Sequence, residues 1–167
     1  PWVVRWLAAV KPGGRVLDVA CGRGRHIAAA LATGLSVTGI DRDTAGNAFA
    51  ADGRVALIEA DLETDGGRPL VGRHFDGIVV TNYLHRPILP DIVRAVAPDG
   101  VLIYETFAAG HAQFGRPQRA DFLLNLGELI EAVYATQLGA VRLAEKFGGD
   151  LTLDEQFLPM KRWIDRE

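Results

Sequence analysis

Five short apolar runs recur along the first two thirds of the chain, each closing on a polar or acidic residue, and no other feature limits the possible folds so strongly. They read RVLDVA (15–20), LSVTGID (35–41), RVALIEAD (54–61), FDGIVVTN (75–82) and VLIYET (101–106). Their brevity, their valine and isoleucine content and the glycines and aspartates at their joints mark them as strands. Because they are continuously apolar rather than alternating, they suit strands covered on both faces. The stretches between them are long enough for helices that make the right-handed crossovers of a parallel sheet. In RPILPDIVRAVAPDG (86–100), Ile88, Leu89, Ile92, Ala95 and Val96 recur on one helical face, Pro87 and Pro90 suit the first turn, and APDG ends the helix.

After the fifth strand, FAAGHAQFGRPQRADFLL (107–124) is too long and too broken by glycine and proline for a plain connection, and predicts a loop or lid. Asn125 and Glu128 have the spacing of an Asn-led capping box for a helix through about Ala135. Two β segments follow, AVRLAEKF (140–147) and EQFLPMKRW (155–163), and the GGD joint (148–150) predicts that they pair antiparallel. The expected fold is therefore α/β: a Rossmann-like, doubly wound, mainly parallel seven-stranded sheet with an antiparallel C-terminal hairpin strand. At 167 residues and 49% hydrophobic content, a single domain over 1–167 is expected, with a lid-like insertion at about 107–124.

Composition narrows the classes, disfavouring nucleic-acid binding without excluding it. A net charge of −3 argues against a basic nucleic-acid surface. The single cysteine, Cys21, forms no internal disulfide, and no apolar run is long enough to span a bilayer, so a cytoplasmic protein without a membrane partner is expected. Arginine outnumbers lysine 15 to 3, and Ala, Gly and Val are abundant, the bias of a GC-rich bacterial genome. Individual arginines carry correspondingly less functional weight. The chain starts at Pro1, and PWVVRWLAAV already reads as an amphipathic helix, so native residues are expected before it.

In an open parallel sheet a ligand sits beyond the carboxyl ends of the strands, where the strand order reverses. The residues there are Asp18 to Gly24, Asp41, Asp61 with Leu62, and Asn82 to His85. Gly22 and Gly24 make room for the turn from strand into helix, whose first amides can meet a polar group. A dinucleotide fingerprint needs a third small residue where Ile27 stands, and no Gly-Lys-Ser/Thr tripeptide occurs, so neither phosphate motif is complete. Asp18, inside the first strand, would repel a pyrophosphate and suits an ammonium group. Asp41 stands where an acid accepts hydrogen bonds from both ribose hydroxyls. Asp61 ends the third run and can accept a bond from an exocyclic amine such as adenine N6. Acids for an ammonium, a ribose and an adenine describe S-adenosylmethionine better than NAD.

Taken in order, VLDVACGRGRH (16–26), TGID (38–41), EADLE (59–63), FDGIVVTNYLH (75–85) and APDGVLIYETF (97–107) resemble the motif series of class I S-adenosylmethionine-dependent methyltransferases. The resemblance covers roughly 15–106 and lies nearest the small bacterial, minimal-core members, the tellurite-resistance-type and other small-molecule methyltransferases. It implies that Asp18, Ala20, Gly22 and Gly24 line the methionine part of the cofactor, and that Asp41 and Arg42 border ribose and adenine. It further implies that Asp61 and Leu62 border the adenine, and that Asn82 with Tyr83 closes over the methyl-bearing sulfur. The implied reaction is direct methyl displacement with S-adenosylhomocysteine as product and no metal. NYLH stands where amino-directed nucleic-acid methyltransferases carry Asp/Asn-Pro-Pro-Tyr, which turns the expectation away from base N-methylation.

The candidate catalytic side chains are His85 and Tyr83, an imidazole near the methyl being able to take a substrate proton. Candidate substrate contacts are Tyr104 and, in the lid, His111, Phe114, Arg116 and Arg119, the two arginines favouring a carboxylate or phosphate. Cys21, without a resolving cysteine, reads as a small packing residue, and His26, in the first helical turn, as a surface residue. A small-molecule acceptor is expected. An RNA- or protein-directed methyltransferase and a non-catalytic S-adenosylmethionine-binding module stay open.

Overall fold

The computed structural model of the protein describes residues 2–136 in full and, beyond them, the backbone of 142–148 and 158–159. Five strands, β1 (Arg15–Val19), β2 (Ser36–Asp41), β3 (Val55–Glu59), β4 (Phe75–Thr81) and β5 (Val96–Phe107), form a parallel sheet in the order β3-β2-β1-β4-β5. The chain doubles back between β1 and β4, so a crevice opens at their carboxyl ends. Side chains alternate across the sheet. Leu17, Val19, Ile78, Val80, Leu102 and Tyr104 pack into one core with residues of α3 (Leu89–Arg94) and α4 (Glu128–Ala135). Val16, Val79, Val101 and Ile103 pack into a second core with α1 (Trp2–Leu7) and α2 (Arg25–Ala32). Both faces are therefore covered, which is why the runs are apolar without alternation. Each fully buried Leu or Ile stabilises this arrangement by about 1.5–3 kcal/mol.

Three expectations need correction. Between β2 and β3, residues 42–54 form turns and not a helix. Asp43, Asn47 and Asp52 each accept a hydrogen bond from the amide two residues ahead, at 3.0, 3.0 and 2.9 Å, and those local bonds compete with helical ones. The stretch between β3 and β4 likewise holds only the 3₁₀ turn Arg68–Leu70. At the other side, β5 starts before APDG. Val96 pairs with Phe75, and a register shift then brings Val101 opposite Gly77. Burial of Phe75 and Val96, each under 5% exposed, anchors this early start and leaves α3 short.

The segment 107–124 is irregular, as expected, with 3₁₀ turns at His111–Gln113 and Ala120–Phe122. The helix after it, α4, is capped differently from the expectation. Gly127, with φ 83°, is the N-cap residue, while the Glu128 carboxylate reaches back to the Asn125 amide at 2.9 Å, completing only half of a capping box. Two backbone segments, β6 (Arg142–Gly148) and β7 (Leu158–Pro159), run beside β5 and beside each other. Residues 149–150 of the expected hairpin joint, and most of 155–163, lie outside the described residues. Among the described residues no helix is long and apolar enough to cross a membrane.

Candidate functional site

Positive φ angles mark where strands give way to the site. Ala20 (55°), Gly22 (51°) and Gly24 (92°) turn the chain from β1 into α2. The two glycines serve different ends. A Cβ on Gly22 would meet nothing within 4 Å, whereas one on Gly24 would fall 2.7 Å from the Phe49 ring and 3.1 Å from Asn47 Oδ1. Gly24 thus admits the 47–49 loop, and Gly22 keeps the outer face of the turn open. The Gly22 amide donates to Asp41 Oδ2 at 2.8 Å and the Asp43 amide to Oδ1 at 3.1 Å, so Asp41 ties the end of β2 to the turn after β1. At the end of β4, Asn82 adopts φ 53°, a conformation asparagine tolerates, and its amide donates to the Glu105 carbonyl at 2.8 Å.

These strand ends surround a pocket of about 260 Å³ lined by Ala20, Ile40, Asp41, Arg42, Ala60, Asp61, Leu62, Glu63 and Tyr83. Of the ten residues expected to hold the cofactor, Ala20, Asp41, Arg42, Asp61, Leu62 and Tyr83 come together here. Asp18 lies beneath the turn, Gly22 and Asn82 stand exposed at strand ends, and Gly24 is buried against Phe49. Ile40, Ala60 and Glu63 escaped the sequence reading. The signal available for them was adjacency, since Ile40 and Ala60 each precede an acid already singled out and Glu63 follows Asp61 by two residues. Asp61 Oδ1 accepts the Glu63 amide at 3.0 Å, so one oxygen braces the turn and the other has no protein partner among the described residues.

Two polar atoms at this site are buried without a partner among the described residues, Asp18 Oδ2 and the Tyr83 hydroxyl. Asp18 is 1% exposed. Burial, foremost, pushes its pKa up to about 7; the Arg25 guanidinium opposes this, the Asp41 carboxylate adds to it, and the Ile27 amide opposes it. A buried, unsatisfied carboxylate oxygen costs about 1–3 kcal/mol, a cost that a cationic ligand group removes. The Tyr83 phenol is pushed up to about 12, by burial first and then by Glu63 and Asp61. Near neutral pH it is a hydrogen-bond donor and not the proton acceptor that a catalytic base requires.

The other expected residues lie elsewhere. His85 sits in an adjoining depression of about 240 Å³ with Glu63, Leu84, Arg86, Pro87, Asp121 and Phe122, and its side chain makes no cap bond to the turn it precedes. Tyr104 is not a substrate contact: it is 1% exposed, and its hydroxyl donates to the Tyr83 carbonyl at 2.9 Å, propping the loop after β4. His111 packs against Phe107 with ring centroids 4.5 Å apart and tilted by 40°, and its Nε2 bonds the Arg116 carbonyl at 3.1 Å, which folds the 107–116 segment on itself. Phe114 is 71% exposed. Arg116 is exposed, and Arg119 is paired with Asp121 at 2.7 Å on the surface.

Cys21 is buried, its thiol pushed up to about 12 by burial and then by Asp18 and Asp41, so it is inert. It packs over Gly39, where a Cβ would come within 2.8 Å of its sulfur. His26 is not a surface residue. It is half-buried, with Nδ1 3.3 Å from the Thr81 hydroxyl. Among the described residues no three His, Cys, Asp or Glu side chains are grouped to hold a metal ion.

Comparison with known proteins agrees with this geometry. A family model described as a methyltransferase domain matches residues 16–100, half of the chain. No curated protein matches it. Among solved structures, a TehB-like SAM-dependent methyltransferase from Corynebacterium glutamicum is similar at 25% identity and TM-score 0.58, over 80% of this chain and 71% of that one. The 1,6-didemethyltoxoflavin-N1-methyltransferase of Burkholderia thailandensis, solved with 1,6-didemethyltoxoflavin and S-adenosylhomocysteine, is similar at 24% identity and TM-score 0.59, over 84% and 66%. TehB from Haemophilus influenzae is similar at 21% identity and TM-score 0.60, over 79% and 49%. The chain therefore spans between about half and about seven tenths of the length of these neighbours.

Proposed function

The chain belongs to the methyltransferase-domain family, and from that premise we propose how this class I S-adenosylmethionine-dependent methyltransferase holds its cofactor and what kind of acceptor it serves. Asp18 takes the methionine ammonium through its unpartnered oxygen, with Ala20, Gly22 and Gly24 bordering the methionine. Asp41 and Arg42 hold the ribose side of the pocket, and Asp61 and Leu62 hold the adenine. Asn82 and Tyr83 close over the sulfur, the Tyr83 hydroxyl finding in the ligand the partner it lacks in the protein. Bound there, S-adenosylmethionine supplies a methyl group already activated by the positive sulfur. The protein's own task is then to position the acceptor in line and to exclude water.

The acceptor is a small molecule. This reading is supported by a net charge of −3; a fold neighbour named as a 1,6-didemethyltoxoflavin-N1-methyltransferase is consistent with it. Pairing of Arg119 with Asp121 removes part of the earlier reason to expect an anionic acceptor. The same reading takes 1–167 as one domain whose sheet is completed to seven strands by an antiparallel closing hairpin, in keeping with the pairing of Arg142 with Pro159 and Leu143 with Leu158. It also takes the protein as a bacterial, cytoplasmic enzyme, in keeping with its lone cysteine and its arginine-rich composition.

The observation that carries the proposal is the orphaned, buried Asp18 oxygen beside a pocket walled by Asp41, Asp61 and Glu63. Calorimetric titration with S-adenosylhomocysteine tests it. One-to-one binding is expected, and Asp41→Ala weakens it by about 1–3 kcal/mol, the scale of charge-assisted hydrogen bonds. A folded protein that binds neither S-adenosylmethionine nor S-adenosylhomocysteine overturns the proposal.

A further inference from the structure

A second group of acid–base side chains stands on the α2 face of the sheet, outside the pocket already described. Val16 and Val79 face α2, and side chains alternate along a strand, so Asp18 of β1 and Thr81 of β4 face the same side. Ile103 of β5 does too, which places Glu105 there, opposite Thr81 in the register. His26, in the first turn of α2, reaches across to this row, with Nδ1 3.3 Å from the Thr81 hydroxyl. Its Nε2 makes no hydrogen bond among the described residues, although the ring is half-buried. Thr81 is the last residue of β4, immediately before Asn82 leaves the strand with φ 53° and bonds the Glu105 carbonyl. The group therefore stands at the strand end that the proposed function assigns to the sulfur, on the side away from the adenine pocket.

We propose that His26 is the proton acceptor for a protic nitrogen acceptor, with Thr81 fixing its ring and Glu105 stabilising the imidazolium that forms. The inference rests on the cofactor placement above. As the acceptor nitrogen's lone pair forms the new N–C bond, the methyl C–S bond breaks and its electron pair stays on sulfur, giving neutral S-adenosylhomocysteine. The nitrogen sheds one proton to His26 Nε2, and His26 returns it to solvent. In the neutral ring Nδ1–H donates to Thr81 Oγ1, the tautomer that leaves the Nε2 lone pair free for the proton, and the same bond persists once the ring is charged.

The charged groups facing the ring are Arg25 on its own helix and Glu105 on β5; Thr81 on β4 brings none. Burial first, then Arg25, hold the imidazole below its ordinary value, and Glu105 works against them. His26 is consequently neutral, and able to take a proton, at neutral pH. A nitrogen nucleophile is favoured because the Glu105 carboxylate, opposite Thr81 and acting on the ring, repels a carboxylate or phosphate acceptor and not an amine.

The test has two readouts. The first, independent of turnover, is the ¹H–¹⁵N long-range spectrum of the His26 ring, which is expected to titrate below the free-histidine value and to shift to lower pH still in Glu105→Gln. The second is transfer of tritiated methyl from S-adenosylmethionine into a panel of aliphatic amines, heteroaromatic amines, alcohols and carboxylates. Amines are expected to be labelled. His26→Asn should lower kcat/KM for the best amine by about 100-fold and abolish the acidic limb of its pH profile, while S-adenosylhomocysteine affinity stays within about twofold. The proposal falls if no amine is labelled, if the pH profile survives His26→Asn, or if that variant loses S-adenosylhomocysteine binding. Failure of the wild-type protein to bind S-adenosylhomocysteine instead overturns the cofactor placement, so the two failures are distinguishable.

Discussion

The pocket at the strand ends and the segment after β5, expected from its sequence as a lid, are neighbours built by opposite means. Around the pocket the main chain does the positioning. Strand register sets Asp18 opposite Gly39 and Val79, so that Asp41 and Thr81 stand two residues beyond it on the neighbouring strands, and the amides of Gly22 and Asn82 tie adjacent strand ends at 2.8 Å each. In the lid, residues 107–124, regular structure amounts to two 3₁₀ turns and one bridge, Ala108 to Leu124. It is held instead by a side chain from the loop after β4. Arg86 places Nε and Nη2 on the Glu128 carboxylate at 2.6 and 2.9 Å, and its remaining donors on the carbonyls of Ala120, Asp121 and Leu123 at 3.4, 3.0 and 2.8 Å. A sheet end unfolds only with the sheet, whereas a segment tied down mainly at its ends and by one guanidinium has fewer contacts to break.

The strongest way to break this comparison is to cut the fastening. Arg86→Ala is expected to lower stability by about 2–3 kcal/mol, because Glu128, largely buried, keeps only Asn125 as partner. Limited proteolysis should then cut first within 107–124, and calorimetry should find S-adenosylhomocysteine affinity within about twofold of wild type. An equal loss of affinity would mean that lid and pocket are one unit.

The pocket side is sharpened through Asp18. Its folded pKa, about 7, lies above the ordinary 3.8, so between those values the folded protein holds a proton that the unfolded chain has lost. Stability contributed at this site therefore falls as pH rises through that window, and the loss is complete above about pH 7. Binding an ammonium needs the ionised form, so S-adenosylhomocysteine affinity is expected to rise up to tenfold per pH unit, or ~1.4 kcal/mol, on approaching pH 7 from below. Asp18→Asn should flatten both slopes, measured by denaturant titration and by calorimetry at several pH values. Slopes that persist in the variant would place the ammonium elsewhere.

The smallest effect is expected for Arg119→Ala. Its partner Asp121 is as exposed as it is, and such pairs are worth less than about 0.5–1 kcal/mol. Thermal melting should barely move, and a larger shift would show that Arg86 shares its task.

How far the chain could be read in advance follows the same division. Asp41 and Asp61 were legible as residues lining the strand-end pocket because each ends an apolar run, and a strand end in a parallel sheet has only one place to be. Ile40 and Ala60 line the pocket with no chemistry of their own to mark them. His26 was misjudged as a surface residue: it sits in a helix start yet meets Thr81, 55 positions away, whereas His85 follows β4 directly and lies in the depression adjoining the pocket. Tyr104 carried the chemistry of a substrate contact, but the face it occupies is the one covered by α3 and α4.

The sequence by itself determined the parallel α/β sheet, the acids at its strand ends and the irregular segment after β5, because hydrophobic period, glycine placement and strand-end chemistry are local properties of the chain. Only the tertiary structure decided which polar atoms lack partners, which histidine faces the strand-end row, and that Arg86 ties the carbonyls of Ala120, Asp121 and Leu123 to Glu128. Those outcomes depend on contacts between residues tens of positions apart, where burial removes water and leaves each group with whatever neighbour the fold supplies.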